Sequence, residues 1–329
     1  MTKSKVFVTR DIPQVGISRL QECKELEIIV HESADAVSRQ KLFDQVETAA
    51  ALLCLLSDKV DKTILEHGEK LRVVANYAVG FDNIDVEEAT KRGIWVTNTP
   101  GVLTEATADL AFSLLLAACR RLVEADKYTR AGKFKGWGPK LLLGMDLNGA
   151  TLGIIGMGRI GRAVARRAKA FGMKIIYHNR KRCNIDIEEE LSARWVEMDE
   201  LLKGSDALSL HLPGGEETKH LIGTEELAKM KDGAVLVNTA RGTVVDENAL
   251  VDALKAGKLL GAGLDVFEEE PKLHPELASL DNVTLAPHIG SATEGVRSKM
   301  ALMAAENIIA VLTGNTPPNA VNQPARREV

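Results

Sequence analysis

Short apolar runs rich in β-branched residues alternate with longer segments of mixed polarity along the chain. In the first hundred residues these runs are 5–9, 26–30, 51–56, 72–75 and 94–97. Runs of this kind, separated by helical or polar segments, are typical of parallel strands that helices cover on both faces. The pattern predicts a first α/β domain.

The same alternation resumes in the second half of the chain. Further strands are predicted at 153–155, 174–178, 207–211, 234–238, 263–266 and 283–286. A long apolar helix is predicted over 104–123 and a last helix over 294–312, whereas the glycines within 130–149 predict a loop. The sequence therefore predicts a second α/β domain after the first.

Length and charge agree with this organisation and exclude several classes of protein. The chain has 329 residues, which exceeds the usual size of a single core and favours two domains. Its net charge of −4 offers no basic surface for nucleic acid, and no apolar run is long enough to predict a membrane span. The first residues lead directly into a strand-like segment without an apolar signal core, so we expect a cytoplasmic protein.

The cysteines predict no metal chemistry. Cys23, Cys54, Cys119 and Cys183 are far apart and have no histidine at metal-ligand spacing. Scattered thiols of this kind are typical of structural cysteines in a reducing compartment. We therefore expect no metal site.

A G-x-G-x-x-G motif lies where a short apolar run gives way to helical spacing. In a dinucleotide-binding turn, the first glycine, here Gly156, permits the tight turn. The second, Gly158, lets backbone N–H groups approach a pyrophosphate, and the third, Gly161, lets helix and strand pack closely. A purely structural turn is the alternative, but the strand before and the helix after favour a dinucleotide site.

The residues about 20 positions past these glycines bear on the choice of coenzyme. Asn179 stands where an aspartate would bind the 2′-hydroxyl of NAD. Arg180, Lys181 and Arg182 follow it, and a neutral side chain followed by three cations fits a 2′-phosphate. NADP(H) is therefore favoured over NAD(H), and a solvated basic turn is the structural alternative.

Arg241, Glu270 and His288 each follow one of the last three predicted strands. Reduction of a keto acid needs a proton donor for the developing alkoxide and a fixed cation for the carboxylate. His288 can supply the proton and Arg241 can bind carboxylate and carbonyl oxygens. Glu270 can stabilise the imidazolium and hold its tautomer. Because the three residues follow neighbouring strand ends, they are candidates for one reaction centre.

A loop at 76–82 follows the early strand 72–75 and contains Gly80 near its end. Successive backbone N–H groups at the carboxyl edge of a sheet can hold a small anion. An ordinary connection between a strand and a helix is the alternative interpretation.

Four segments together resemble those of the D-isomer-specific 2-hydroxyacid dehydrogenases, and the resemblance extends over nearly the whole chain. They are the glycine turn at 156–161, Asn-Thr-Ala-Arg-Gly at 238–242, Gly-Leu-Asp-Val-Phe-Glu-Glu-Glu-Pro at 263–271 and Pro-His-Ile-Gly at 287–290. The resemblance implies that Arg241, Glu270 and His288 form the catalytic set. It also implies that Asp265 lies near the nicotinamide carboxamide.

The resemblance further implies which residues contact the ligands. The implied coenzyme contacts are Thr107, Gly156, Gly158, Arg159, Ile160, Gly161, Asn179, Arg180, Lys181, Arg182, Leu212, Pro213, Thr218, Thr239, Ala240, Arg241, Asp265, His288 and Gly290. The implied substrate contacts are Leu56, Ala78, Val79, Gly80, Trp137, Arg241 and His288. Among these, the backbone N–H groups of Val79 and Gly80 would bind the substrate carboxylate.

The family architecture implies a fold that composition could not indicate. A Rossmann coenzyme domain, residues 100–290, would be inserted into a flavodoxin-like substrate domain formed by residues 1–99 and 291–329. The helices near Thr104 and Glu294 would form the hinge. Closure of the domains would expel water from the path of the hydride.

Within the family, the segments 54–57, 76–80 and 180–182 look most like those of glyoxylate and hydroxypyruvate reductases. That resemblance implies NADPH-dependent reduction of small 2-keto acids, glyoxylate to glycolate and hydroxypyruvate to D-glycerate, by hydride transfer with His288 as proton donor. It also implies a homodimer in which Trp137 reaches the neighbouring subunit's substrate pocket. A packing role for this tryptophan is equally open.

Two other functions stay open at this point. One is an NAD-dependent dehydrogenase of D-lactate or a similar 2-hydroxy acid. The other is a non-catalytic NAD(H)-binding protein similar to the corepressors related to this family. The intact set of arginine, glutamate and histidine favours an enzyme over the corepressor.

Overall fold

The structure is a computed structural model, and it describes residues 3–33 and 35–325. The described chain divides into two compact units. The first unit extends to Leu103 and resumes at Ser291, and the second unit is Thr104–Gly290. The family resemblance placed these boundaries at 99–100 and 290–291.

Strands and helices alternate through both units. The strands are β1 Ser4–Val8, β2 Leu26–Val30, β3 Ala51–Cys54, β4 Val73–Asn76, β5 Trp95–Thr97, β6 Thr151–Ile155, β7 Lys174–His178, β8 Ala193–Trp195, β9 Ala207–Leu210, β10 Ala234–Asn238, β11 Leu259–Leu264 and β12 Val283–Leu285. The α-helices are α1 Gln14–Gln21, α2 Arg39–Val46, α3 Lys62–His67, α4 Val86–Lys91, α5 Thr104–Cys119, α6 Leu122–Arg130, α7 Arg159–Ala170, α8 Ile185–Leu191, α9 Met198–Gly204, α10 Thr224–Lys229, α11 Glu247–Lys255 and α12 Glu294–Leu312.

Each unit is built on one parallel sheet. The sheet of the first unit has the order β2-β1-β3-β4-β5, which is the flavodoxin-like order. The sheet of the second unit has the order β12-β11-β10-β9-β6-β7-β8, in which β6 and β9 flank the point where the strand order reverses. This is the Rossmann order with one further strand. The predicted fold class, two doubly wound parallel sheets, is therefore confirmed.

Apolar side chains fill both faces of the sheets. The strands β9 and β10 are buried at every position, as expected for strands covered by helices on both faces. Helix α5 lies very close to β11, because a methyl group at Gly263 would be only 2.8 Å from the Cβ of Leu114. All strands of the second sheet are parallel, so the chain leaves every strand at one edge, and polar residues that follow the strands gather there.

The start of α7 differs from the starts of the five helices that have a side-chain cap. A side chain accepts a hydrogen bond from the first turn of five helices, and the residues concerned are Ser38, Asp61, Asp85, Asp246 and Thr293. Helix α7 instead begins after Gly158, which has no side chain to do so. Its first backbone N–H groups are thus left for a ligand.

Three sequence-based predictions of secondary structure differ from the structure. The strand predicted at 263–266 is β11, which begins at Leu259 and ends at Leu264. The helix predicted over 104–123 ends at Cys119, and Arg121 has φ 50° before α6 begins. The apolar pattern continues across this break, so periodicity alone does not show it. Strand β8 was not predicted, because its sequence, Ala-Arg-Trp, has a charged residue at its centre and forms no apolar run.

No helix in the part of the chain that the structure describes is long and apolar enough to cross a membrane.

Candidate active site

Most of the predicted coenzyme and catalytic residues lie at the carboxyl edge of the seven-stranded sheet. The strands and the predicted residues that follow them are β6 with Gly156, Gly158, Arg159, Ile160 and Gly161, β7 with Asn179, Arg180, Lys181 and Arg182, β9 with Leu212, Pro213 and Thr218, β10 with Thr239, Ala240 and Arg241, β11 with Asp265 and Glu270, and β12 with His288 and Gly290. Thr107 reaches the same edge from α5, through a 3.0 Å hydrogen bond from its Oγ1 to the carbonyl oxygen of Gly290.

The three glycines of the turn after β6 meet different surroundings. Gly156 has φ 98°, and a Cβ there would lie 2.3 Å from the carbonyl oxygen of His211. A Cβ at Gly161 would lie 2.2 Å from the carbonyl oxygen of Gly156. A Cβ at Gly158 would meet nothing within 4 Å. The first and third glycines therefore serve close packing, and the second borders open space where a pyrophosphate fits at the start of α7.

Asn179 is bound to the glycine turn. Its Oδ1 accepts a 2.7 Å hydrogen bond from the N–H of Met157, and its carbonyl oxygen accepts one of 3.1 Å from Nε1 of Trp195. The turn after β7 thus joins the glycine turn, and its positive charge comes from the basic residues that follow Asn179.

Burial lowers the pKa of nearby His211 to about 4, so this imidazole is neutral where it contacts Ser209 at 2.8 Å.

The basic residues after Asn179 have unlike surroundings. Arg180 pairs at 2.8 Å with Glu217, and both side chains are more than four-fifths exposed. Arg182 pairs with Glu188 through its Nε at 2.9 Å and its Nη2 at 2.6 Å. Lys181 is exposed. The predicted basic cluster therefore contains one weakly held and one firmly held arginine.

The turn that carries Arg241 is shaped by a buried amide. Nδ2 of Asn238 donates to the carbonyl oxygen of Arg241 at 2.8 Å, and its Oδ1 accepts from the N–H of Ala240 at 3.0 Å. A Cβ at Gly242 would lie 1.9 Å from the carbonyl carbon of Phe267, so the turn packs directly on the backbone after β11. Arg241 is partly buried, and its Nη1 donates to the carbonyl oxygen of Ala240 at 2.8 Å.

One hydroxyl at this edge has no protein partner. Oγ1 of Thr239 is buried and has no hydrogen-bond partner among residues 3–33 and 35–325. Buried polar atoms usually find a partner, so an orphaned hydroxyl at a predicted coenzyme contact fits a site that receives a polar ligand.

Glu270 and His288 form the pair predicted from the sequence. Nδ1 of His288 lies 2.8 Å from Oε2 of Glu270, and about a third of each side chain is exposed. Burial opposes ionisation of Glu270, but the His288 hydrogen bond and the charges of His288 and Arg241 outweigh it and lower the pKa of this carboxyl. The carboxylate therefore accepts from Nδ1–H, which leaves Nε2 of His288 to exchange a proton with a ligand.

The loop that presents His288 is held by Asp265. One oxygen of this carboxylate accepts from the N–H of Ile289 at 2.7 Å and the other from the N–H of Gly290 at 2.8 Å. Burial raises the pKa of Asp265, although these hydrogen bonds oppose the rise. His288 itself has φ 54° and donates its N–H to the carbonyl oxygen of Asp265 at 2.9 Å. Asp265 thus positions the imidazole through the backbone.

Several residues that support the site were not identified from the sequence. Glu247 is buried and accepts a 2.9 Å hydrogen bond from the N–H of Glu268, and His220 contacts the side chain of Glu268 at 2.5 Å. Burial raises the pKa of Glu247. Asn238 and Glu188 were missed as well. Glu247, His220 and Glu188 lie in no motif that the sequence analysis used. Asn238 begins the segment 238–242, but only its contacts reveal its role.

The loop after β4 in the first unit has its carbonyl oxygens bonded and two of its backbone N–H groups without an acceptor among the described residues of that unit. The carbonyl oxygens of Ala78, Val79 and Gly80 accept hydrogen bonds from the N–H of Thr99 at 2.8 Å and from the side chains of Asn98 and Asn76 at 2.7 Å each. No acceptor among the described residues of this unit takes the N–H of Val79 or Gly80. Leu56 follows β3 at the same edge and is partly buried. The loop can therefore bind a small anion through its backbone.

Trp137 does not join either group of residues. It lies in the segment between α6 and β6, and 86% of the side chain is exposed. Four other large apolar residues between positions 122 and 143 are also exposed, and they are Leu122, Phe134, Leu141 and Leu143. Exposed apolar side chains in one segment are typical of an interaction surface.

Comparison with known proteins places this architecture among hydroxyacid dehydrogenases. The family model of the D-isomer specific 2-hydroxyacid dehydrogenase NAD binding domain matches residues 112–290. A glyoxylate reductase of Thermococcus litoralis is 56% identical over 325 residues, which are 98% of this chain and 97% of that protein.

Solved structures of related sequence have the same fold. The TT0316 protein of Thermus thermophilus is 48% identical with a TM-score of 0.90, over 97% of this chain and 100% of that chain. An NADPH-dependent glyoxylate/hydroxypyruvate reductase of Sinorhizobium meliloti, solved with NADP and malonate, is 35% identical with a TM-score of 0.86 over 100% of both chains. The similarity therefore extends over both units.

Proposed function

This chain belongs to the D-isomer-specific 2-hydroxyacid dehydrogenase family of oxidoreductases, and from that premise we propose that it is an NADPH-dependent glyoxylate reductase that also reduces hydroxypyruvate. The observation that carries the proposal is the His288–Glu270 pair at 2.8 Å beside the charge of Arg241. A relative of 56% identity is a glyoxylate reductase, which supports glyoxylate as the substrate and glycolate as the product. Hydroxypyruvate would give D-glycerate.

The proton chemistry is assigned to His288. Glu270 accepts from Nδ1, so the protonated imidazole can donate from Nε2 to the oxygen of the keto group as that oxygen gains negative charge. The carboxylate of Glu270 stabilises the imidazolium before the transfer and orients the neutral ring after it. Asp265 holds the backbone N–H groups of Ile289 and Gly290, which directly follow His288, and so keeps the imidazole ring in place.

The substrate carboxylate is assigned to backbone N–H groups of the loop after β4. Val79 and Gly80 offer their N–H groups, while their own carbonyl oxygens already accept hydrogen bonds from the side chains of Asn98 and Asn76. Arg241 offers a planar fork that can bind a carboxylate or a carbonyl oxygen. We accordingly assign the substrate domain to the first unit and the coenzyme domain to the second.

NADPH is assigned as the coenzyme because of the turn after β7. The second unit would hold the pyrophosphate at Gly158 and the start of α7, and the 2′-phosphate at Arg180 and Arg182. No carboxylate follows β7 where an NAD-specific turn has one, since Asn179 stands there. The bound nicotinamide supplies the hydride that reduces the keto carbon. A relative of 35% identity was solved with NADP, which supports this choice.

Coenzyme and substrate choice are tested together by initial rates on the purified protein. We expect kcat/KM with NADPH and glyoxylate to exceed that with NADH about 10- to 100-fold, because charge-assisted hydrogen bonds to the phosphate are lost with NADH. Hydroxypyruvate should be reduced as well. Loss of absorbance of the reduced nicotinamide measures each rate.

Other outcomes of the same panel identify the alternatives. A preference for NADH with pyruvate would assign a D-lactate dehydrogenase. Coenzyme binding without turnover of glyoxylate, hydroxypyruvate, pyruvate or 3-phosphohydroxypyruvate would instead indicate a non-catalytic binding protein.

A homodimer is proposed on the exposed apolar side chains between positions 122 and 143, among them Trp137. Association through this segment would cover side chains that are otherwise costly to expose. Sedimentation equilibrium should give twice the 35.7 kDa mass of the chain. A monomer at every concentration would contradict the dimer, and an unchanged KM for glyoxylate in Trp137→Ala would contradict a role of Trp137 at the neighbouring subunit's substrate pocket.

A further inference from the structure

A chain of hydrogen bonds that begins in the core of the second unit holds the side chain of Arg182. Its Nε and Nη2 donate to Oε1 and Oε2 of Glu188 at 2.9 and 2.6 Å. The hydroxyl of Tyr177 donates to Oε1 of Glu188 at 2.7 Å and accepts from the N–H of Cys183 at 2.8 Å. The guanidinium is thus fixed to strand β7 and helix α8.

The three side chains in this series of hydrogen bonds differ in their burial. The side chain of Glu188 is 6% exposed and Tyr177 is fully buried, whereas 59% of the Arg182 side chain is exposed. The hydrogen bonds from Arg182 lower the pKa of Glu188 to about 2, against the effect of burial and with a smaller contribution from Tyr177. Glu188 is therefore a buried anion, and the more exposed Arg182 is the partner that it can orient.

Arg180 provides the internal contrast. Its single ion pair joins two side chains that are 86% and 82% exposed. Such a pair contributes little and leaves both side chains free to take other rotamers. Of the two arginines that flank Lys181, only Arg182 has an orientation set by the folded protein.

The pairing with Glu188 does not use up the guanidinium. A guanidinium carries five N–H bonds, of which Glu188 takes one on Nε and one on Nη2. The edge formed by Nη1 and Nη2 still offers a second fork, which matches two oxygens of a phosphate monoester. Arg182 can hold Glu188 and a phosphate at the same time.

We propose that Glu188, supported by Tyr177, is a positioning residue that orients Arg182 toward the 2′-phosphate of the coenzyme and so contributes to discrimination between NADPH and NADH. The proposal rests on the proposed use of NADPH. Its physical basis is that a side chain held in its binding geometry before the ligand arrives loses less conformational entropy on binding. An unheld arginine would supply the same charge with weaker selectivity.

The test compares two nucleotides that differ only in the phosphate, by isothermal titration calorimetry. In Glu188→Gln, which keeps the size of the side chain and an acceptor oxygen for Tyr177, we expect the Kd of 2′,5′-ADP to rise about three- to tenfold. The Kd of 5′-AMP should stay within about twofold, since it lacks the phosphate that Arg182 reads. The ratio of kcat/KM for NADPH and NADH should fall by the same factor, with kcat unchanged.

A matched control removes a similar pair elsewhere in the second unit. Arg194 and Glu200 form a 2.7 Å pair with the same spacing in sequence, but both side chains are about half exposed or more. Glu200→Gln should change neither nucleotide affinity. If Glu188→Gln does not fold, Arg182→Lys tests the same point at an exposed position, because lysine keeps the charge and lacks the fork.

The outcomes separate this proposal from the choice of coenzyme. Equal affinity of the wild-type protein for both nucleotides would overturn the use of NADPH itself. A wild-type preference for 2′,5′-ADP that Glu188→Gln or Arg182→Lys leaves unchanged would overturn only the positioning role. Tighter binding of 2′,5′-ADP by Glu188→Gln would also overturn it, because Glu188 would then compete with the phosphate for Arg182.

Discussion

Replacement of His288 by asparagine should lower kcat for glyoxylate reduction about 10²- to 10⁴-fold, the range that a positioned proton donor contributes. Asparagine is the substitution of choice because His288 has φ 54°, and asparagine tolerates this left-handed conformation better than alanine does. The backbone bonds from Ile289 and Gly290 to Asp265 should then survive. Steady-state rates at saturating glyoxylate and NADPH measure the effect.

A second histidine at the same sheet edge controls for nonspecific damage. His274 lies 3.3 Å from Asn248 and has no contact with the catalytic pair in the part of the chain described. His274→Asn should retain normal turnover. Glu270→Gln should fall between the two, because His288 keeps its proton but loses the carboxylate that stabilises the imidazolium. Near-normal kcat in His288→Asn would remove His288 from the mechanism.

The parts of the fold that could be predicted are those that depend on local pattern. Buried parallel strands show as short apolar runs, and the turn after β6 shows as glycines at fixed spacing. The gathering of Arg241, Glu270 and His288 at one edge follows from parallel strands, and the structure brings Glu270 and His288 to 2.8 Å. These steps need no knowledge of loop conformation.

What could not be predicted depends on how loops fold back on one another. The prediction that Asp265 lies near the nicotinamide did not include the contacts of both its oxygens with backbone N–H groups of residues 289 and 290. Glu247 holds the backbone at Glu268 from 21 positions away. No periodicity encodes such contacts, because they arise only when the strand ends are already assembled.

Charge patterns showed the same limit. The sequence shows three consecutive cations after Asn179 and treats them alike. In the structure these cations differ, because Glu188 on the following helix pairs with Arg182, whereas Arg180 has only an exposed partner. A buried carboxylate and a solvated one look identical in a sequence. Which arginine pairs with the buried one is therefore known only from the three-dimensional structure.

The glycines of the turn after β6 should respond to alanine in opposite ways. In Gly156→Ala, the methyl group would lie 2.3 Å from the carbonyl oxygen of His211, at a backbone φ of 98° that alanine rarely adopts. Strain and overpacking together should lower the free energy of unfolding by about 2–5 kcal/mol, measured by urea denaturation. Loss of coenzyme affinity in this variant would follow from the distorted turn.

Gly158→Ala separates stability from binding at the same turn. Its φ of −79° suits alanine, and a methyl group there meets no protein atom within 4 Å, so the free energy of unfolding should change by less than about 1 kcal/mol. The methyl group would nevertheless occupy the space through which a pyrophosphate approaches the first N–H groups of α7. Fluorescence titration should therefore show NADPH affinity reduced about 10- to 100-fold, the loss expected when charge-assisted hydrogen bonds are disrupted. Unchanged NADPH affinity in a folded Gly158→Ala protein would place the pyrophosphate elsewhere. An unchanged free energy of unfolding in Gly156→Ala would mean that the backbone around Gly156 can shift by about an ångström or more to make room for the methyl group.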